Sequence, residues 1–171
     1  MLVGAGLVLH AVDRLIPSPV PFARLGLANV VTLVALIALG LPEALVVTGL
    51  RVVVAALILG TFGGPAFLLA LAGGLASALV MGALVRWTMP PLGVVGASLV
   101  GAAVHNVTQL AVVGALFTGL AAAARLTPAA LLVSAAAGLA TGIVAWLVLN
   151  RLPLAGEAAA RRDSKLRRER A

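Results

Sequence analysis

An all-α, polytopic membrane bundle of about six transmembrane helices is the fold class this sequence predicts. Three observations carry that reading. Hydrophobic residues make up 63% of the 171 positions and charged residues 10%, where a soluble domain carries roughly a quarter charged. Mean hydropathy is +1.20. The apolar residues also fall into six segments, 1–16, 25–40, 43–60, 66–86, 93–118 and 128–150, with Pro or Gly at the joins.

The first segment holds about a dozen apolar residues before Asp13, too few at ~1.5 Å per residue to cross a ~30 Å core. It reads as a short tilted span or as part of a longer one starting upstream. A signal peptide fits poorly, because no basic region precedes it and His10, Asp13 and Arg14 interrupt the expected cleavage region. Pro17, Pro19 and Pro21 separate it from the second segment. Gly40 and Pro42 mark the entry to the third, and Gly63, Gly64 and Pro65 the entry to the fourth. Pro90 and Pro91 precede the fifth, and Pro128 opens the sixth. Residues 1–152 then form one bundle, with no room for a soluble catalytic domain. Residues 153–171 form a basic tail, read as disordered.

The formal net charge is +7, and much of the excess sits in Arg161–Arg170. In an apolar chain this tail reads as a topology signal, not as a nucleic-acid surface. It places the C-terminus in the cytoplasm of a multi-pass cell-membrane protein, and six spans put the N-terminus there too. Arg86 and Arg151 then lie inside, and Arg24 and Arg125 outside. Trp87 and Trp146 fall near the inner headgroups, where tryptophan is enriched.

Small residues recur at four-residue spacing at Ala66, Ala70, Gly74, Ala78 and Gly82, and again at Ala130, Ser134, Gly138 and Gly142. Such stripes let helix backbones approach closely. Packing within one bundle is the favoured reading, and docking against a partner subunit is the alternative.

Arg51 interrupts an apolar span near its midpoint, at a cost of about 2.5–3.5 kcal/mol on insertion scales. A second polar run, His105-Asn106-Val107-Thr108-Gln109, lies mid-way along another span, with His105 and Gln109 on one helix face. Asn29 lies about one turn into its span, and Thr61 and Arg24 lie near the outer surface. Together these residues suggest a mid-depth polar pocket reached from outside. Glu43 lies about 12 Å along the helix from Arg51, and Asp13 near the outer end of the first span. An anionic or carbonyl-rich ligand would complete the guanidinium. Snorkelling, carbonyl capping or a structural pair with Asp13 are the alternatives for Arg51. Helix-packing hydrogen bonds are the alternative for His105, Asn106, Gln109 and Asn29.

Catalytic signatures are missing. The sequence has no Cys, no aspartate-rich DDxxD motif to hold magnesium diphosphate, and no GxxxxGK[ST] loop for ATP. His10 and His105, far apart in sequence, make a weak metal case. The chain therefore reads as no enzyme, with no cofactor and no metal.

Four segments also form an ordered pattern: Pro21–Leu33 with Leu25-Gly26-Leu27-Ala28-Asn29, Leu50-Arg51-Val52 followed by Gly60-Thr61-Phe62, Pro65–Gly74, and Gly101–Leu110 with His105-Asn106 and Gln109-Leu110. This pattern resembles the Gx transporter family, also called heptaprenyl diphosphate synthase component I. Residues 119–171 contribute nothing to it. The resemblance implies a bundle like the substrate-binding S components of energy-coupling-factor transporters. Those proteins bind a small solute and topple against a membrane coupling subunit driven by two ATPases. By position the polar motif residues are Arg24, Asn29, Arg51, Thr61, His105, Asn106 and Gln109, and the Pro-rich loop 17–24 would be an outer gate. The chain departs from the S-component pattern in its first span, where the alanine-x-x-x-alanine docking stripe has Leu9 four residues after Ala5.

Three functions compete on this reading. The first is a solute-binding subunit for uptake, with separate coupling and ATPase partners. The second is an accessory membrane subunit for isoprenoid, quinone or flavin-linked electron transfer, with a redox or prenyltransferase partner. The third, a stand-alone carrier or channel, is least favoured because no internal inverted repeat is visible.

Overall fold

The computed structural model describes residues 27–87 and 93–151, and every regular element among them is helical. Helix α1 spans Leu27–Ala38, α2 Leu41–Ile58, α3 Pro65–Trp87, α4 Gly93–Val113 and α5 Leu120–Arg151. A π-turn, Gly114–Thr118, extends α4. Four of these units are long and apolar enough to cross a bilayer: α2, α3, α4 with its π-turn, and α5. This is a membrane-type helical protein. The predicted first segment 1–16, the loop 17–24 and the basic tail lie outside the described residues.

A two-residue turn at Leu39–Gly40 reverses the chain between α1 and α2. Gly40 has φ 118°, a value disfavoured for residues with a side chain, and its N–H caps the Ala35 carbonyl at 3.2 Å. Pro42 follows in the first turn of α2, where its missing N–H costs nothing. The result is an antiparallel α1–α2 hairpin.

The described part of α1 has 12 residues and is about 18 Å long. It lies at the centre of the bundle and packs on α2, α3, α4 and α5. Every residue from Asn29 to Leu36 is buried. Leu33, Val34 and Ala35 meet Ala44 and Val47 of α2, Met81 of α3, Ala97 of α4, and Ala145 and Leu149 of α5. A mostly apolar helix whose two polar side chains, Asn29 and Thr32, are themselves buried suits this central place. Outward faces are apolar too: Val46, Leu50 and Ile58 on α2, and Leu132, Leu139 and Ile143 on α5, are exposed as lipid-facing residues would be.

The sixth predicted segment needs correction. Pro128 does not open it; it lies inside α5, which starts eight residues earlier at Leu120. The stretch Leu120-Ala121-Ala122-Ala123-Ala124-Arg125-Leu126 consists of strong helix formers, and it carries the helix through the proline. Proline is also better tolerated in membrane helices than in soluble ones.

The small-residue stripes pack inside the bundle. A Cβ added at Gly138 would lie 2.7 Å from the Leu99 Cα, and one at Gly142 would lie 2.9 Å from the Val95 Cα. The α4 and α5 backbones therefore touch, which makes theirs the tightest helix pair. On α3, Gly74 meets Thr48 and Gly82 meets Leu41, while Ala66 at the N-terminal end of the stripe is exposed.

Candidate functional site

Arg51 sits ten residues into α2, a helix of mean hydropathy 2.0, yet it is 3% exposed. It belongs to the inward stripe of the helix, Ala44, Val47, Thr48, Arg51, Val52 and Ala55, spaced by three and four residues. Val46, Leu50 and Leu57 occupy the outward face. The guanidinium therefore starts from the protein-facing side of a lipid-facing helix.

One turn below Arg51, the Thr48 hydroxyl hydrogen-bonds the Thr32 hydroxyl of α1 at 2.9 Å, and both residues are essentially sealed from solvent. This bond sets the register of the hairpin. Thr32 and Thr48 each lie eight residues from Gly40; Asn29 and Arg51 each lie eleven. In an antiparallel pair, Asn29 thus stands at the level of Arg51, one turn along the same face from the hydroxyl pair. Asn29 is buried.

His105 and Gln109 lie on the face of α4 that packs on α3. Both abut Gly73: a Cβ there would lie 3.0 Å from the Gln109 Cγ and 3.1 Å from the His105 Nδ1. Gln109 also donates from Nε2 to the Leu69 carbonyl at 3.4 Å. The next residue of α3, Gly74, faces Thr48 of α2, with a Cβ position 3.0 Å from its Cγ2. The Gly73-Gly74 pair thus holds one polar set on each of two faces, at one level of the bundle. No Cα of α2 comes within 8 Å of a Cα of α4, so these sets are neighbours across α3 and do not share one helix interface. Arg51 and His105 each make a further interaction.

Asn106 points elsewhere. Its Nδ2 donates to the Ser134 hydroxyl of α5 at 2.8 Å, and Ser134 donates on to the Ala130 carbonyl at 2.6 Å. A parallel chain runs from the Ser98 hydroxyl to Thr141, which donates to the Ala137 carbonyl at 2.8 Å. Both chains end on backbone acceptors, as buried polar groups in a membrane must. Asn106 therefore serves α4–α5 packing. Ser134→Ala should cost more stability than Asn106→Ala, because it strands a buried amide, at about 1–3 kcal/mol. Thermal unfolding of the two variants in detergent checks the order.

Thr61 is remote from Arg51, about 15 Å further along the axis. It closes α2: its N–H donates to the Ala56 carbonyl at 2.8 Å, and its carbonyl accepts from Gly64 at 3.0 Å. Arg24 lies outside the described residues. Of the residues the sequence singles out, the structure therefore brings His105 and Gln109 together at Gly73, and Asn29 and Arg51 hold matching positions either side of Gly40 in the hairpin that the Thr32–Thr48 bond ties. The sequence reading passed over Thr32 and Thr48. Their signal was the three-residue spacing in Asn29/Thr32 and Thr48/Arg51, mirrored about Gly40.

The family model for heptaprenyl diphosphate synthase component I matches residues 2–148. This chain belongs to that family. The match covers α1 to α4 completely and nearly all of α5, so every candidate residue falls within it. No curated protein and no solved structure matches the chain. What the site offers chemically is hydrogen-bond donors: a guanidinium, an amide and hydroxyls inside an apolar bundle.

Proposed function

We propose that this protein is a membrane-embedded binding subunit for uptake of a small anionic or carbonyl-rich solute, working with a separate coupling subunit and ATPases. The observation that carries the reading is the burial of Arg51 in the inward stripe of a membrane-length helix, where a small or apolar residue would pack at less cost. The planar N–H fork of a guanidinium suits an oxyanion or a carbonyl group. In this reading the chain performs no chemistry, the N-terminal end of α1 and the C-terminal end of α2 face outward, and the C-terminus is cytoplasmic. Gly73 and Gly74 let α3 carry both polar sets, so bound solute could alter packing on either side.

The family description supports a second reading, an accessory membrane subunit beside a prenyltransferase or a quinone or flavin enzyme. Arg51 would then hold a lipid headgroup or a ring substituent. Partner capture separates the two. A tagged chain purified from native membranes in mild detergent should bring down two ATPases and a membrane coupling subunit, identified by mass spectrometry. Recovery of a prenyltransferase or redox enzyme in their place would favour the accessory role.

A further inference from the structure

The two ends of the described bundle differ in charge. Gly74 meets Thr48 while Gly82 meets Leu41, and Gly73 meets His105 while Gly101 meets Met81, so α3 runs antiparallel to both α2 and α4. The Gly138 and Gly142 contacts make α5 antiparallel to α4 in turn. The connections 59–64 and 114–119 therefore lie at one end. Residues 52–85 and 110–124, which contain them, have no Asp, Glu, Lys or Arg. The opposite end carries Glu43 in the first turn of α2, Arg86 in the last turn of α3 and Arg151 in the last turn of α5, all exposed.

We infer that the uncharged end is a lipid-docking surface: its apolar crown sits in the headgroup layer of the bilayer, and Arg125 pairs with a lipid phosphate there. The crown is Ile58, Leu59 and Phe62 from one connection and Leu116, Phe117 and Leu120 from the other. Phe62 is 56% and Phe117 60% exposed. Large apolar side chains this open, grouped at one end, mark a surface that something apolar covers. The crown is continuous with the lipid-facing side of the bundle. Leu50 and Leu57 lead along the outward face of α2 to Ile58 and Leu59, and Leu132 and Leu126 lead along α5 to Leu120. The occupant of those faces extends over the end.

The backbone of the connections suits an apolar layer. The N–H groups of Leu59, Gly60, Thr61 and Gly64 donate to the carbonyls of Ala55, Leu57, Ala56 and Thr61 at 2.8–3.3 Å. Phe62 is held by Phe67, with ring centroids 4.8 Å apart. The second connection is shorter still. The π-turn runs to Thr118 and α5 starts at Leu120, so Gly119 alone turns the chain, at φ 83°. Connections that bond internally and open little backbone fit a layer where water is scarce.

Arg125 supplies the charge complementarity. It is exposed on α5, five residues and about 7.5 Å along the axis from Leu120. An arginine at that depth snorkels, laying its stem along apolar surface and lifting its head to the phosphates. That brings its guanidinium to the level of the crown, where its planar fork matches phosphate oxygens.

The chain has no cysteine, so single nitroxide labels can be placed without background. Phe62→Cys, Leu116→Cys and, at the charged end, Glu43→Cys are labelled in the full chain in phosphatidylcholine nanodiscs. Power-saturation EPR then reads collisions with oxygen, which concentrates in lipid, and with a water-soluble nickel chelate. The oxygen-to-chelate ratio should be several-fold higher at the Phe62 and Leu116 sites than at the Glu43 site. The Leu116 site stands independently of Phe62→Cys, which loses the ring contact with Phe67. Adding Arg125→Glu should lower the ratio at the Leu116 site, because a carboxylate repels phosphate, and Arg125→Lys should keep it.

Ratios at the Phe62 and Leu116 sites no higher than at the Glu43 site would place this end in water and overturn the inference. Labels shielded from oxygen and chelate alike would also overturn it, because protein and not lipid would then cover the crown. A ratio indifferent to Arg125→Glu would overturn the phosphate contact. None of these outcomes depends on what the bundle binds, so the solute-binding reading is tested separately.

Discussion

Replacing Arg51 with Met is expected to weaken solute binding by about 100-fold or more while the bundle remains folded. Methionine keeps the flexible stem and removes the charge, so the packing of the inward stripe is largely preserved. Arg51 is 3% exposed, and its neighbours along the stripe are Thr48, Val52 and Ala55. Arg51 makes a further interaction, however, and removing one member of a buried polar contact leaves the other unmet, at about 1–3 kcal/mol. The variant should therefore unfold somewhat below the wild-type temperature, still cooperatively, and lose ligand. Arg51→Lys should bind in between, because it keeps the charge but loses the planar fork. A thermal unfolding curve with a parallel ligand measurement checks both halves. Collapse of Arg51→Met on extraction would make Arg51 part of the scaffold.

Gly138→Ala is expected to lower stability by about 1–3 kcal/mol, and Gly138→Val by more. The added Cβ would lie 2.7 Å from the Leu99 Cα and 3.1 Å from the Ser98 carbonyl oxygen. Both neighbours are backbone, so no rotamer change relieves the contact. The helices must part, and the Ser98–Thr141 and Asn106–Ser134 bonds must stretch with them. Gly49→Ala supplies the control. Nothing lies within 4 Å of its Cβ position, and alanine favours helix over glycine by about 0.5–1 kcal/mol. Thermal unfolding in detergent should rank Gly49→Ala at or above wild type and Gly138→Ala well below it. Equal behaviour of the two alanines would mean that α4 and α5 do not meet backbone to backbone.

Much of the fold is legible in the sequence. Helices α2, α3 and α4 follow apolar runs bounded by Gly and Pro, because a bilayer demands length and hydropathy before anything else. The start of α5 is less legible. Pro128 reads as a break, and only the alanine-rich run before it reveals that the helix begins at Leu120. The enclosed place of α1 is also hidden, since a largely apolar segment looks alike whether lipid or protein surrounds it.

The candidate site is legible as composition and less so as geometry. A charge in an apolar run marks Arg51, and four-residue spacing joins His105 to Gln109. Asn106 illustrates the limit. One residue from His105, it is turned about 100° around the helix and meets α5, where His105 meets α3. Which neighbour each face meets depends on packing order, and α3 between α2 and α4 divides what one depth scale had grouped together.

Native mass spectrometry of the tagged chain, released gently from its own membranes, tests the solute-binding account most directly. The account predicts a small anionic adduct on the wild type that is missing from a folded Arg51→Met chain. An adduct retained by both proteins, or a wild type that carries none, would contradict it.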